Sequence, residues 1–200
     1  MTDSEGWEVT SVFSNNLADT NVTGATWEIR QGVSAGNGGT LIASGMTSAP
    51  IVTATGRSGF GFTEFSVEVP GLSVFLPNTG GNYHLNVTPI GDLTGRSFDS
   101  NTDGANAIGQ PPGNNQNAFF TSDFFGAFFQ PTAEQGEDTD FSMGVNGTVH
   151  GGGGGDLTLQ SAFSKKSQGG TDFDVDLPLS GDIGIESRDG GKDEILSRVQ

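Results

Sequence analysis

At 200 residues, with 32% hydrophobic side chains, Gly 33 and only 16% charged residues, the chain has the length of one large domain or two small ones. It is neither helix-rich nor a highly charged disordered sequence. The net charge of -16 disfavours nucleic acid and anionic membrane surfaces as partners and offers oxygen ligands to hard cations such as calcium. With Cys 0 there are no disulfides, no thiol nucleophile and no thiolate metal site.

The opening MTDSEGWEVT has neither a basic start nor an apolar run, and no later stretch approaches the ~18 apolar residues of a membrane span. Alternation with period two, the mark of half-buried strands, begins in ATWEIR, where Trp27 and Ile29 oppose Glu28 and Arg30. Turn residues follow in SAGNGG at 34–39. FSVEV then sets Phe65, Val67 and Val69 against Ser66 and Glu68, and YHLNV sets Tyr83, Leu85 and Val87 against His84 and Asn86. Further turns are expected at the PG that begins with Pro70, at NTGG from Asn78 and at PPGNN from Pro111. FSMGV, with Phe141, Met143 and Val145 in phase, reads as a closing strand. No long window carries a 3.6-residue period, so the expected fold class is all-β, an antiparallel β-sandwich of jelly-roll-like type.

DSNTDGANA, residues 99–107, is the stretch most suggestive of chemistry. Asp99, Asn101 and Asp103 occupy the first, third and fifth positions of an EF-hand-like calcium loop, with Gly104 at the sharp turn. The twelfth position holds Gln110 instead of a bidentate Glu, and no helical pattern brackets the loop. Asx side chains also bond their own backbone in ordinary turns. A polar turn is therefore favoured, with Asp99, Asn101 and Asp103 standing as the candidate calcium ligands. The acidic EQGEDTD, residues 134–140, reads as a solvated connector.

The segment AFFTSDFFGAFF carries Phe119, Phe120, Phe124, Phe125, Phe128 and Phe129. Adjacent Phe residues in a strand point to opposite faces, so some must lie outside the main core. Core filling is favoured over a sugar-stacking platform, which would prefer Trp and Tyr. The two imidazoles, His84 on a polar strand face and His150 beside glycines, suggest no catalytic constellation, so a non-enzymatic role is expected.

HGGGGG, from His150, marks the sharpest compositional boundary, since five glycines have no side chains to pack. The expected organisation is a β-sandwich over residues 1–149, a glycine-rich linker at 150–155 and the initial strands of a second β module at 156–200. Acidic excess is concentrated before the linker, with fifteen acidic against three basic side chains up to residue 149 and nine against five after it. In FDVDLPL, Phe173, Val175, Leu177 and Leu179 alternate with Asp174 and Asp176, a carboxylate row suited to a solvated edge.

Together, GWEVTSVFSNNL, GATWEIRQGVSAGNGGTLIASG, FSVEVPGLSVFLPNTGGNYHLNVTPIG, GNNQNAFFTSDFFGAFF and DFSMGVNGTV resemble the β-sandwich ectodomains of bacterial secreted proteins of the PEP-CTERM or choice-of-anchor type. The similarity covers roughly residues 6 to 149 and is carried by the order of the segments, not by any single motif. LTLQSAFSKKSQGGTDFDVDLPLSGDIGIESRDGG resembles a second bacterial surface-protein module, of which most would be missing here. Ser167 and Gln168 stand where that pattern has Thr and His, and Ser187 where it often has Cys. The resemblance implies an extracellular or cell-surface location and a structural, adhesion or matrix role, with extracellular polysaccharide or other surface proteins as partners. It implies no activity. The alternatives are a carbohydrate-binding module and, behind it, a hydrolase. The sequons at Asn21, Asn86 and Asn146 are incidental in a bacterial protein.

Overall fold

The computed structural model describes residues 6–79, 81–102, 118–123, 125–135, 140–150, 161–166, 181–186 and 194–199. In chain order the strands are β1 (Gly6–Ala18), β2 (Val22–Gln31), β3 (Thr40–Thr47), β4 (Ile51–Gly59), β5 (Phe62–Pro77), β6 (Tyr83–Gly91), β7 (Ser97–Asp99) and β8 (Asn101–Thr102). They continue with β9 (Phe119–Ser122), β10 (Ala127–Pro131), β11 (Asp140–Phe141), β12 (Met143–His150), β13 (Ser161–Lys166), β14 (Gly181–Glu186) and β15 (Glu194–Val199). The helical element among the described residues is a single 3-10 turn, Thr132–Gln135. The protein is all-β, and its architecture is that of an antiparallel sandwich.

One sheet has the order β12-β1-β5-β4, and β7 pairs with β1 beyond the end of β12. The other runs β10-β9-β13-β6-β2-β3. Two short pairs, β11 with β8 and β14 with β15, complete the strand pairing among the described residues. Strands pair antiparallel except at β13, which is parallel to both β6 and β9. β13 follows the glycine run in sequence and takes its place inside the six-stranded sheet.

The alternation explains the core. Val9, Val12, Val67, Val69 and Leu76 from the first sheet meet Ala25, Trp27, Ile29, Tyr83, Leu85 and Val87 from the second, all buried in one cluster. Trp7, Met143 and Val145 pack against its margin. The apolar faces expected of ATWEIR, FSVEV and YHLNV thus point between the sheets, apart from Phe65, which is only half-buried. Burying this set removes several hundred Å² of apolar surface from water, at roughly 25 cal/mol per Å².

Two local devices shape the first sheet. The pairing of β1 shifts between Val9 and Ser11, so that Thr10 opposes the loop Gly71 to Ser73 of β5. Gly71 adopts a φ of 74, a left-handed conformation that a side chain would strain, and Ser73 donates a hydrogen bond to Glu8 Oε1 at 2.6 Å. Between β4 and β5, Gly59 pairs with Phe62, and Phe60 and Gly61 both have positive φ, at 51 and 84. Such a turn matches the twist of the flanking strands.

Candidate functional site

Of the sequence candidates, Asp99 and Asn101 lie at one end of the first sheet, where β1, β7, β8 and β11 converge. Ser100, between β7 and β8, donates its amide to Asn15 O at 2.9 Å, and its carbonyl accepts from the Ser142 amide at 2.7 Å. The Asn15 amide in turn donates to Ser142 O at 2.8 Å, and Asn15 Nδ2 donates to Ser142 Oγ at 2.8 Å. Three distant segments are thereby tied at one point.

Beneath this knot lies Glu64 of β5, 1% exposed. Its Oε1 accepts from Ser100 Oγ at 2.7 Å and its Oε2 from Thr55 Oγ1 at 2.6 Å. Arg57 Nε also donates to Oε2, forming a salt bridge. A buried carboxylate is costly unless paired and hydrogen-bonded, and Glu64 is both. Its oxygens are committed to holding the β4 and β5 hairpin against residue 100, which makes it a clamp. Sequence reasoning missed Glu64 because it is in phase with Ser66 and Glu68, a pattern that reads as a solvated face. The available signal was the hairpin itself: the turn at Phe60 and Gly61 folds Thr55 and Arg57 back beside residue 64.

Asp99 lies directly opposite Asn16 in the β1 and β7 register, and Asn101 lies opposite Phe141. Directly opposed residues share a face, so the Asp99 and Asn16 side chains are neighbours. Asn16 is buried, with Nδ2 donating to Ser14 Oγ at 2.7 Å, while its Oδ1 finds no hydrogen-bond donor among the described residues. The structure thus brings Asp99 and Asn101 to the two sides of Ser100. Asp103, with Gly104 and Gln110, lies outside the described residues, as does part of EQGEDTD. Carboxylate and amide oxygens in this arrangement are hard donors of the kind calcium prefers. Among the described residues no three His, Cys, Asp or Glu side chains group closely enough to hold a metal ion.

A second polar locus occupies the outer face of the six-stranded sheet. His84 and Asn86 share this face, as their alternation predicts, yet both are buried. His84 lies opposite Arg30 and makes an edge contact with the Phe119 ring at 5.7 Å. Arg30 is held by Glu28 at 2.7 Å, donates to Gly38 O at 3.0 Å, and stands 5.5 Å from the centre of the Phe129 ring. Phe119 and Phe129 form a small satellite core with Val33. Burial lowers the His84 pKa to about 4, so the imidazole is neutral near pH 7. No serine hydroxyl or carboxylate among the described residues hydrogen-bonds its ring, and its Nδ1 makes no hydrogen bond.

The Phe-rich segment divides accordingly: Phe119 and Phe129 fill the satellite core, while Phe125 and Phe128 are exposed, Phe128 by 61%. Phe124 lies outside the described residues.

At the β1–β2 and β6–β7 turns, Asp92 accepts from Thr20 Oγ1 at 2.9 Å, Asn21 Nδ2 at 2.7 Å and the Thr94 amide at 3.1 Å. The Thr94 hydroxyl, followed by Asn21 and Thr20, holds the Asp92 carboxyl well below the usual carboxylate range. These bonds staple the two turns and saturate the carboxylate.

No protein-family model matches the chain, and no curated protein or solved structure shows significant similarity to it.

Proposed function

We propose that this chain is a non-enzymatic bacterial protein of the cell surface or extracellular space, with a structural, adhesion or matrix role, akin to the PEP-CTERM and choice-of-anchor ectodomains that its segment order resembles. The observation that carries the proposal is the distribution of exposed apolar side chains. Leu41, Ile42, Met46, Ile51 and Val52 concentrate on two consecutive strands, β3 and β4, of an otherwise strongly acidic protein. Exposed apolar side chains gathered on two neighbouring sheet edges are the kind of surface that interaction sites use. Extracellular polysaccharide and other surface proteins are the partners proposed. The stretch holding Asp99, Asn101 and Asp103 is proposed as a polar turn, with calcium binding there as the alternative.

The test is retention of the purified chain on apolar, protein-coated and polysaccharide-coated surfaces. Wild type is expected to be retained, and a Leu41→Asn, Ile51→Asn variant to be released. Failure of wild type to be retained on any of them removes the adhesive role.

Carbohydrate binding is the second proposal, favoured by the exposed rings of Phe125 and Phe128. It predicts retention on polysaccharide that is lost in Phe128→Ala and unchanged in the β3 and β4 variant.

A further inference from the structure

β3 and β4 are the terminal strands of the two sheets, and only Ser48 to Pro50 separates them in sequence. One side of the sandwich therefore ends in two open edges, neither paired with any further strand among the described residues. An open edge presents a row of backbone donors and acceptors that another strand can satisfy. Natural edges are commonly blocked by charge, proline, a bulge or a short length; β3 spans 8 residues, TLIASGMT, with neither charge nor proline, and is interrupted by one register shift, at Ile42.

The seam between the sheets is also open here. Val52 lies opposite Val67, which is wholly buried in the core, so Val52 faces the same interior; it is nevertheless 40% exposed. On the outer face Met46 is 73% exposed.

Charge identifies what covers this side. From Gln31 to Gly56 there is no ionisable side chain, in a chain of net charge -16. Two copies repel one another over most of their surfaces, and the neutral side is where that repulsion is weakest. A basic partner would gain nothing from this strip and would be drawn to the acidic faces. An edge strand is, moreover, self-complementary about a two-fold axis, because antiparallel pairing of β3 with its own copy places identical surfaces together.

We propose that the β3 and β4 side is a homodimer interface, in which β3 pairs antiparallel with β3 of a second copy and extends the six-stranded sheet across the two-fold axis. Ile42 and Met46 pack against their counterparts, and Val52 is covered at the seam. The inference shares its surface with the adhesive role proposed above but commits that surface to a second copy.

The experiment is sedimentation equilibrium of the full chain from micromolar to millimolar concentration at low and high salt, beside retention on the coated surfaces. The expected result is a mass of twice 20.6 kDa at high concentration, with association strengthened by salt as like-charge repulsion is screened. The Ile42→Lys, Met46→Lys double variant changes only exposed side chains. It is expected to stay folded by circular dichroism and to weaken the dimer at least about tenfold by setting like charges across the axis. Hydrogen exchange at β3 amides is expected to slow as the dimer fills.

A monomer at every concentration overturns the proposal, as does a dimer that the double variant leaves intact or that salt weakens. If wild type is monomeric yet retained on a coated surface, the dimer fails and the adhesive role stands. If it dimerises without retention, the adhesive role fails alone.

Discussion

Trp27 on β2 stands directly opposite Gly45 on β3, and its Nε1 lies 2.8 Å from where a Cβ on residue 45 would be. The indole uses the space that a side chain would take, which lets a large ring be buried near a sheet edge. Gly45→Ala is expected to destabilise the fold by about 1 to 3 kcal/mol through overpacking. Trp27→Leu should reduce that penalty, so the two substitutions combine non-additively. Urea unfolding of the four members of the cycle measures this; full additivity contradicts the contact.

Glu64 predicts a large effect from a position that the sequence pattern assigns to solvent. Glu64→Leu removes the carboxylate shared by Thr55, Arg57 and Ser100 and is expected to cost roughly 2 to 4 kcal/mol, reduced from the fully buried case because Arg57 is partly exposed. Arg57→Met should cost less than Glu64→Leu, since Thr55 and Ser100 still bond the carboxylate. Equal costs, or a neutral Glu64→Leu, would show that the clamp is not formed.

His84 makes stability depend on pH. Its native pKa is about 4 while the unfolded imidazole titrates near 6.5, so the unfolded state binds more protons between those values. Stability therefore falls as pH drops through this window, by up to about 3 kcal/mol once both states are protonated. Unfolding midpoints at neutral pH and at about pH 5 should differ for wild type and much less for His84→Gln. An imidazole signal titrating near its ordinary value in the native protein would contradict the burial.

Calcium, if bound at Asp99 and Asn101, raises stability by mass action. At ten times the dissociation constant the gain is about 1.4 kcal/mol, and it should vanish on chelation and in Asp99→Ala. Asn16→Leu is expected to weaken the response if Asn16 Oδ1 is a ligand. A thermal melt unchanged up to millimolar calcium leaves the Asp99 stretch as a turn.

Much of the sheet architecture is legible in the sequence. Trp27, Ile29, Val67, Leu85 and Val87 alternate cleanly, and period two decides which face they bury. Polar faces are less legible, because alternation does not reveal what later covers them. His84 and Asn86 share their face as the pattern demands, but the burial of His84 depends on Phe119, a residue distant in sequence. Glu64 is hidden likewise, since its partners come from a hairpin and from Ser100. The glycine run reads as a linker, yet composition does not say which sheet receives the strand that follows it. At the candidate site, the spacing of Asp99 and Asn101 is visible, whereas Asn16 enters through strand register alone.

β13 carries a consequence for how the molecule is made. Among the described residues it alone joins β6 to the β9 and β10 hairpin, and it does so with parallel neighbours on both sides. During synthesis from the N-terminus, the hairpin emerges with its place beside β6 still unfilled, and the sheet closes only after residue 166 has left the ribosome. Parallel, non-local pairings form slowly. Until then, the polar side of β6 around His84 is without its neighbouring strand. The final step in assembling this sheet is thus the insertion of a late segment between two earlier ones, and a chain cut after residue 155 would stop one strand short of it.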